Sequence, residues 1–328
     1  MVKMYYAMLV SLLFILTSCV QAEREQLEPI RVASWSQPIS EQTNLLVDEE
    51  KGFFSQEGLQ LEYIPGAGGG DAIKNILTGQ ADIAFTDPGS LFSALDQGEE
   101  LKVIYNIYPQ NVFNVVALKE TGISSPEDLK GKTIGVYSLA SGTRQNLLLL
   151  LHQVGLSEED VTIVETGVLN FAPLLQGQVD ATAATDTGLF LAGQKGLGAV
   201  DVIEIKDYLN FPSDLFVVTT KVYEEKGDLL RRFLKAYQTS AQWMIDSPEE
   251  AAMLAADYAI DGTETETNEA IIALRNEASV SAATAAAGLG ALELNLLQDA
   301  ANTYTELGLI EHRLEMSGWV SEELLPGK

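Results

Sequence analysis

The stretch Ile76–Ala94 reads ILTGQADIAFTDPGSLFSA, and Leu174–Ala192 reads LLQGQVDATAATDTGLFLA. Gly79, Gln80 and Asp82 answer to Gly177, Gln178 and Asp180. After a slip of one residue, Thr86, Asp87 and Gly89 answer to Thr185, Asp186 and Gly188. Each copy has the pattern of a helix end, a short buried strand, a loop and the start of the next helix. A chain that writes this pattern twice folds into two α/β units of like design. The alternative is that Gly-Gln-x-Asp recurs only because it suits the end of any helix that precedes a strand.

Two units fit the length. At 328 residues the chain exceeds one ordinary domain. Apolar residues make up 46% and charged residues 20%, enough for a large core. Strands are expected at Ile30–Trp35, Leu59–Ile64, Ala81–Thr86, Leu101–Tyr108 and Phe113–Leu118, with helices between the first four. A helix is expected from Ser40, as N-cap, to Lys51, with Gly52 as its stop. After Leu118 the alternation restarts and runs to the strand LFVVTT, Leu215–Thr220. Such alternation implies parallel sheets covered by helices. From about Asp228 the pattern is helical throughout, and Trp243 falls on an apolar helix stripe as a core residue.

The N-terminus reads differently. MVKMYYAMLVSLLFILTSC carries Lys3 and then an apolar run, Ala7–Leu16, that is too short to cross a bilayer. It has the form of a secretory signal peptide over residues 1–18, with a polar tether over 19–28. Leu16-Thr17-Ser18-Cys19 resembles a bacterial lipobox, which implies lipidation at Cys19 and anchoring to the cell membrane. Cleavage near Ala22 with an incidental cysteine is the plainer alternative. Cys19 is the one cysteine, so no disulfide forms within a single chain.

Several strings resemble the periplasmic substrate-binding proteins of ABC importers. They are SWSQPISEQ, EEKGFFSQEGLQLEY, GAGGGDAIKNILTGQADIAFTDPGSL, GISSPEDLKGKTIGVYSLASGT and the tail LGLIEHRLEMSGWVSEELL. The most similar group takes sulfonates, taurine and nitrate together with thiamine-pyrimidine precursors and riboflavin. The resemblance implies a type II-like, two-lobed α/β periplasmic-binding-protein fold with two hinge crossings and a helical C-terminal region. It also implies a small-molecule solute and an ABC permease as partners. Lobe I is expected at 29–115 plus 217–328 and lobe II at 116–216, with crossings near Asn111–Asn114 and Ser213–Phe216. Enzymes of the same family rely on a cysteine-rich motif and histidines. Here the histidines are His152 and His312, which read as structural, so a binding protein is expected in place of an enzyme.

In open α/β sheets ligands bind beyond the carboxyl ends of the strands. Five loops that open helices would meet there: Gly66–Asp71, Asp87–Ser90, Ser138–Arg144, Val168–Phe171 and Asp186–Leu189. The candidate ligand-binding residues are Trp35, Gln37, Gly68, Gly69, Asp87, Pro88, Ser138, Ser141, Thr143, Arg144, Asn170 and Asp186. Trp35 offers a ring to stack on, with Gln37 within reach of the same spot. The glycines admit a close backbone approach, and the hydroxyls donate or accept. Arg144 could hold an anionic group, or lie solvated in a first helical turn. Asp87 and Asp186 could accept from ligand N–H groups, or merely cap helices. Phe85, Tyr108, Tyr137, Phe171 and Phe211 are further candidate walls.

Helix N-termini favour an oxyanion, whereas cleft carboxylates disfavour nitrate and sulfate. The balance points to an organic solute with a flat, nitrogen-containing ring, with taurine or an alkanesulfonate second. A net charge of −27 argues against nucleic acid as a partner. No spacing suggests a metal, a nucleophile–base pair, a Walker loop or another cofactor site, and a monomer is expected.

Overall fold

A computed structural model describes residues 27–167 and 171–328. Cys19 and Asn170 lie outside the described residues. Among the described residues ten strands form two five-stranded sheets. The first sheet has the order β2-β1-β3-β10-β4, from Leu59–Ile64 (β2), Glu28–Ala33 (β1), Ile83–Thr86 (β3), Asp214–Thr219 (β10) and Leu101–Tyr108 (β4). The second has the order β7-β6-β8-β5-β9, from Thr162–Glu165 (β7), Thr133–Val136 (β6), Ala181–Thr185 (β8), Phe113–Leu118 (β5) and Val200–Glu204 (β9).

The two orders superimpose, β1 on β6, β2 on β7 and β3 on β8. The sheets are mixed, however, where alternation alone implied parallel ones. β10 runs antiparallel to β3 and β4, and β5 runs antiparallel to β8 and β9. The reason is topological: β5 and β10 are the strands that arrive from the other sheet, so each enters against the local direction. The chain crosses between Tyr108 and Phe113 and returns between Glu204 and Asp214. Phe113–Val115 therefore already pair in the second sheet, and Asp214–Phe216 already pair in the first.

The expected single helix over Ser40–Lys51 is broken into a 3-10 turn at Ser40–Gln42, α1 (Thr43–Leu46) and α2 (Asp48–Lys51). Ser40 does not cap it, because its N–H and hydroxyl both donate to the Asp261 carboxylate. Gly52 does end it, in the left-handed conformation at φ 69°. Further along come α3 (Gly69–Leu77), α4 (Pro88–Asp96), α5 (Gly142–Gln153), α6 (Phe171–Leu175) and α7 (Asp186–Gln194). The C-terminal helices are α8 (Thr220–Glu225), α9 (Gly227–Asp246), α10 (Pro248–Tyr258), α11 (Thr265–Ala278), α12 (Ala282–Ala287) and α13 (Leu294–Glu306).

Apolar burial on both faces holds the first sheet. On one face Phe233 and Tyr237 of α9 pack against Phe216 and Tyr105, the Phe216–Tyr237 centroids being 4.6 Å apart. On the other, Phe92 of α4 meets Tyr304 of α13 edge-on at 5.1 Å. The tail covers the outer edge of β4 by pairing Val103 with Val320, so that edge is not left open to another chain. Trp243 is partly buried, tilted against Phe53 at 5.4 Å, with its ring N–H donated to Glu250.

Candidate cleft between the two sheets

A cavity lies between the sheets. From the first-sheet side and the C-terminal helices it is lined by Trp35, Glu41, Gly68, Gly69, Asp87, Asp214 and Arg275. From the second-sheet side come Val112, Phe113, Tyr137, Ser141, Gly142, Thr143 and Thr185. The strand ends that carry the duplicated motif thus meet across one hollow.

The loop before α3 has to be glycine. Gly68 holds φ 137°, and a Cβ there would lie 2.8 Å from the Ala140 carbonyl oxygen of the opposite side. A Cβ on Gly69 would lie 2.6 Å from Thr86 Oγ1 and nearer still to the Asp87 carboxylate. Facing it, Ser141 and Thr143 knit the loop ahead of α5. Ser141 Oγ donates to Ser138 O at 2.6 Å, and Thr143 Oγ1 accepts from Tyr137 N–H at 3.0 Å. These bonds fix the position of the Tyr137 ring at the cavity wall.

Of the expected residues, Trp35, Gly68, Gly69, Asp87, Ser141 and Thr143 line the cavity. Pro88 is buried behind Asp87 as the first residue of α4. Gln37 donates to Gly66 O at 3.3 Å beside the cavity. Ser138 reaches across instead, its hydroxyl donating to Ala67 O at 2.7 Å. Arg144 is turned away and paired with Glu158 at 2.6 Å. Phe85, Phe171 and Phe211 belong to the cores.

Arg275, on α11, takes the place expected for Arg144. Its side chain is 1% exposed, pairs with Asp186 and lies 3.5 Å from Glu41. Its guanidinium carbon sits 5.3 Å from the centroid of the Tyr108 ring. Asp186, from the second-sheet side, is therefore engaged by a helix of the C-terminal region. Thr187 adds to the same bridge by donating to Glu41 at 2.8 Å. Glu41, Asp214 and Arg275 were all missed by sequence reading. Glu41 lies inside the helix expected from Ser40, Asp214 just ahead of the expected strand Leu215–Thr220 and Arg275 in the helical C-terminal region, and no local pattern sets any of them apart.

The cavity is electrically unbalanced. Glu41, Asp87 and Asp214 are all at least nine-tenths buried, against one arginine among the lining residues. Burial pushes the Glu41 carboxyl up, with Arg275 opposing. Burial also pushes Asp87 up, although Ser90 N–H and hydroxyl donate to it at 2.9 and 2.7 Å. Asp214 rises well above the usual carboxylate range, through burial first and then through the charges of Asp87 and Glu41. Two helix N-termini at the cleft are already supplied with carboxylates of the chain itself. Asp87 caps α4, and Asp186 stands in the first turn of α7.

Two like α/β lobes, joined by two crossings with a hollow between their strand ends, make this a protein of the periplasmic-binding-protein fold. The alkanesulfonate-binding protein SsuA from Xanthomonas axonopodis pv. citri, bound to MOPS, superimposes with a TM-score of 0.73 at 17% identity, covering 90% of this chain and 98% of that one. The NMT1/THI5-like family model matches residues 39–251, and the chain belongs to that family. A formylaminopyrimidine-binding protein of Halalkalibacterium halodurans is 25% identical over 252 residues, 75% of this chain and 76% of that one. A putative thiamine biosynthesis protein of Haemophilus influenzae is 34% identical over 138 residues, a match that spans 42% of this chain and 43% of that protein.

Proposed function

We propose that the protein is the extracytoplasmic solute-binding component of an ABC importer, and that its cleft takes a small, flat, nitrogen-containing heterocycle rich in N–H donors. The observation that carries the ligand class is the charge of the cavity. Three buried acids face one arginine, and that arginine is already engaged by Glu41 and Asp186. A free sulfonate or nitrate would enter against uncompensated carboxyl groups, whereas a ligand bearing amino or ring N–H groups satisfies them. Trp35 and Tyr137 supply aromatic surface from opposite sides of the cavity. The formylaminopyrimidine-binding relative is consistent with this reading.

The lobes proposed are residues about 29–110 with those from about 214 onward, and about 113–204, moving about the two crossings; both boundaries fall a few residues earlier than expected because Phe113–Val115 pair in the second sheet and Asp214–Phe216 in the first. Contacts such as Ser138 to Ala67 O and Thr187 to Glu41 join the two sides. A ligand touching both sides favours that arrangement by its extra contacts there. The protein acts by binding, without a reaction. His152 is exposed at the end of α5, and His312 is exposed beside Asp96, both remote from the cavity lining. Lipidation at Cys19 and a monomeric state complete the proposal. Mass spectrometry of the mature N-terminus, compared with a Cys19→Ser variant, tests the anchor.

The alkanesulfonate reading rests on Arg275 and on the N-termini of α3 and α5 beside the cavity. A thermal-shift panel of aminopyrimidines, riboflavin, taurine and longer alkanesulfonates separates the two. A true ligand at 100 times its dissociation constant adds about 2.7 kcal/mol. Stabilisation by sulfonates alone overturns the heterocycle reading, and no stabilisation by any member overturns solute binding of either kind.

A further inference from the structure

Asp214 differs from the other acids of the cleft. Glu41 has Arg275 and the Thr187 hydroxyl, and Asp87 has the N–H and hydroxyl of Ser90. Asp186 has Arg275. Among the described residues no group hydrogen-bonds to the Asp214 carboxyl and no cation pairs with it. Yet Asp214 is only 5% exposed and lines the cavity. An unpartnered carboxyl at such depth is costly to the fold unless something in the cavity satisfies it. Its position is also distinctive. It opens β10 directly after the second crossing and stands in register opposite Tyr108, where β4 ends at the first crossing. The carboxyl therefore sits at the hinge end of the cavity, where both crossing segments meet.

We propose that Asp214 is the specificity-determining residue of the cleft, and that it reads an amidine-like edge of the ligand, an amino group beside a ring nitrogen. This inference rests on the heterocycle reading and deepens it. The amino N–H donates to one carboxyl oxygen, while the ring nitrogen meets the other oxygen through a single shared proton. That proton comes from the carboxyl if the ring arrives neutral and from the ring if it arrives as a cation, so the pairing leaves no polar atom unmatched in either case. A sulfonate, which has only acceptors on its anionic group, cannot make this pair. The nearby charges of Asp87 and Glu41 act on Asp214 and raise the cost of any anion there.

The test uses the full mature chain and isothermal titration with two isosteric probes. One is 4-amino-5-hydroxymethyl-2-methylpyrimidine, and the other carries a methyl group in place of the 4-amino group. The wild-type protein is expected to prefer the amino compound by about 100-fold, because the methyl isostere leaves Asp214 buried and unmatched. Asp214→Leu, which keeps the branched shape and removes both oxygens, is expected to lose that preference. Asp214→Asn retains a donor and an acceptor and is expected to bind the amino compound within about tenfold of wild type. Equal wild-type affinity for the two pyrimidines overturns the assignment while leaving the heterocycle reading standing, and does so even if D214L fails to fold. A D214L protein that still discriminates has the same consequence. A wild-type cleft that takes an alkanesulfonate and neither pyrimidine overturns both.

Discussion

The two copies of the duplicated motif share one duty and divide another. Asp82 donates its N–H to Arg31 O at 2.9 Å and accepts from Arg31 N–H at 3.0 Å. Asp180 donates to Thr133 O at 2.8 Å and accepts from Thr133 N–H at 2.8 Å. Each aspartate thus fastens the start of a central strand to its parallel neighbour. Gly79 and Gly177 stop the preceding helices alike, at φ 71° and 66°. The copies part where the lobes meet. In the first, Asp87 caps α4; in the second, Thr185 caps α7 by accepting from Gly188 N–H at 3.2 Å. That exchange of cap explains the one-residue slip and frees Asp186 to reach Arg275 across the cleft. Local duties stayed the same in both copies, and the duty that involves the other lobe did not.

Removing the partner that the second copy acquired should have the largest effect. Arg275→Ala leaves Glu41 and Asp186 facing a desolvated gap and is expected to cost about 3–5 kcal/mol in urea unfolding. Restoring neutrality in Glu41→Gln/Asp186→Asn/Arg275→Met should recover most of that loss. A cost below about 1 kcal/mol for the single change would show that the bridge contributes little.

The shared duty can be compared directly. Asp82 also pairs with Arg31 and with Lys226, at 3.0 and 2.8 Å, whereas among the described residues those cations have no counterpart at Asp180 in the second copy. Asp82→Ala should therefore cost about 2–3 kcal/mol and Asp180→Ala about 1 kcal/mol. Equal losses would mean that the backbone clasp alone matters.

Protonation sets the copies apart more gently. Burial acts to raise Asp82, but hydrogen bonds from Arg31 and Lys226 outweigh it and hold this carboxyl below the usual range. Its stabilisation is present above the ordinary carboxylate value and is lost as pH falls through its own lower one. Glu41, Asp87 and Asp214 are raised, so above the ordinary value the folded protein holds more protons than the unfolded chain. Their contribution falls as pH rises. Melting temperature without ligand should decline from pH 5 to pH 8, and Asp214→Asn should flatten the decline. A rise over that interval in the wild type would contradict the assignment. Smallest of all, Arg144→Ala removes a partly exposed pair with Glu158 and should change stability by less than about 1 kcal/mol, with ligand affinity unaltered by calorimetry.

Much of this was legible beforehand because it depends on neighbours in sequence. Alternation and glycine stops located nine of the ten strands to within a few residues. β9, Val200–Glu204, escaped because VDVIE is short, acidic and half exposed at a sheet edge. The helix at Ser40 was read as continuous because its break depends on Asp261, more than two hundred residues away. Strand direction was invisible for a similar reason. β5 and β10 run antiparallel only because the chain enters each from the other lobe.

The sequence by itself determined that there are two α/β units and that their strand ends carry matching loops, with Trp35, Tyr137, Gly68 and Gly69 among them; it did not separate these from the core residues Phe85, Phe171 and Phe211. Only the tertiary structure decided the charge of the hollow. Glu41, Asp214 and Arg275 come from a 3-10 turn, a returning strand and a distant helix, and each is buried only once those elements pack together. Helix caps and turns are short-range and can be read along the chain; the burial of a charge is a property of everything packed around it, and no local window contains that.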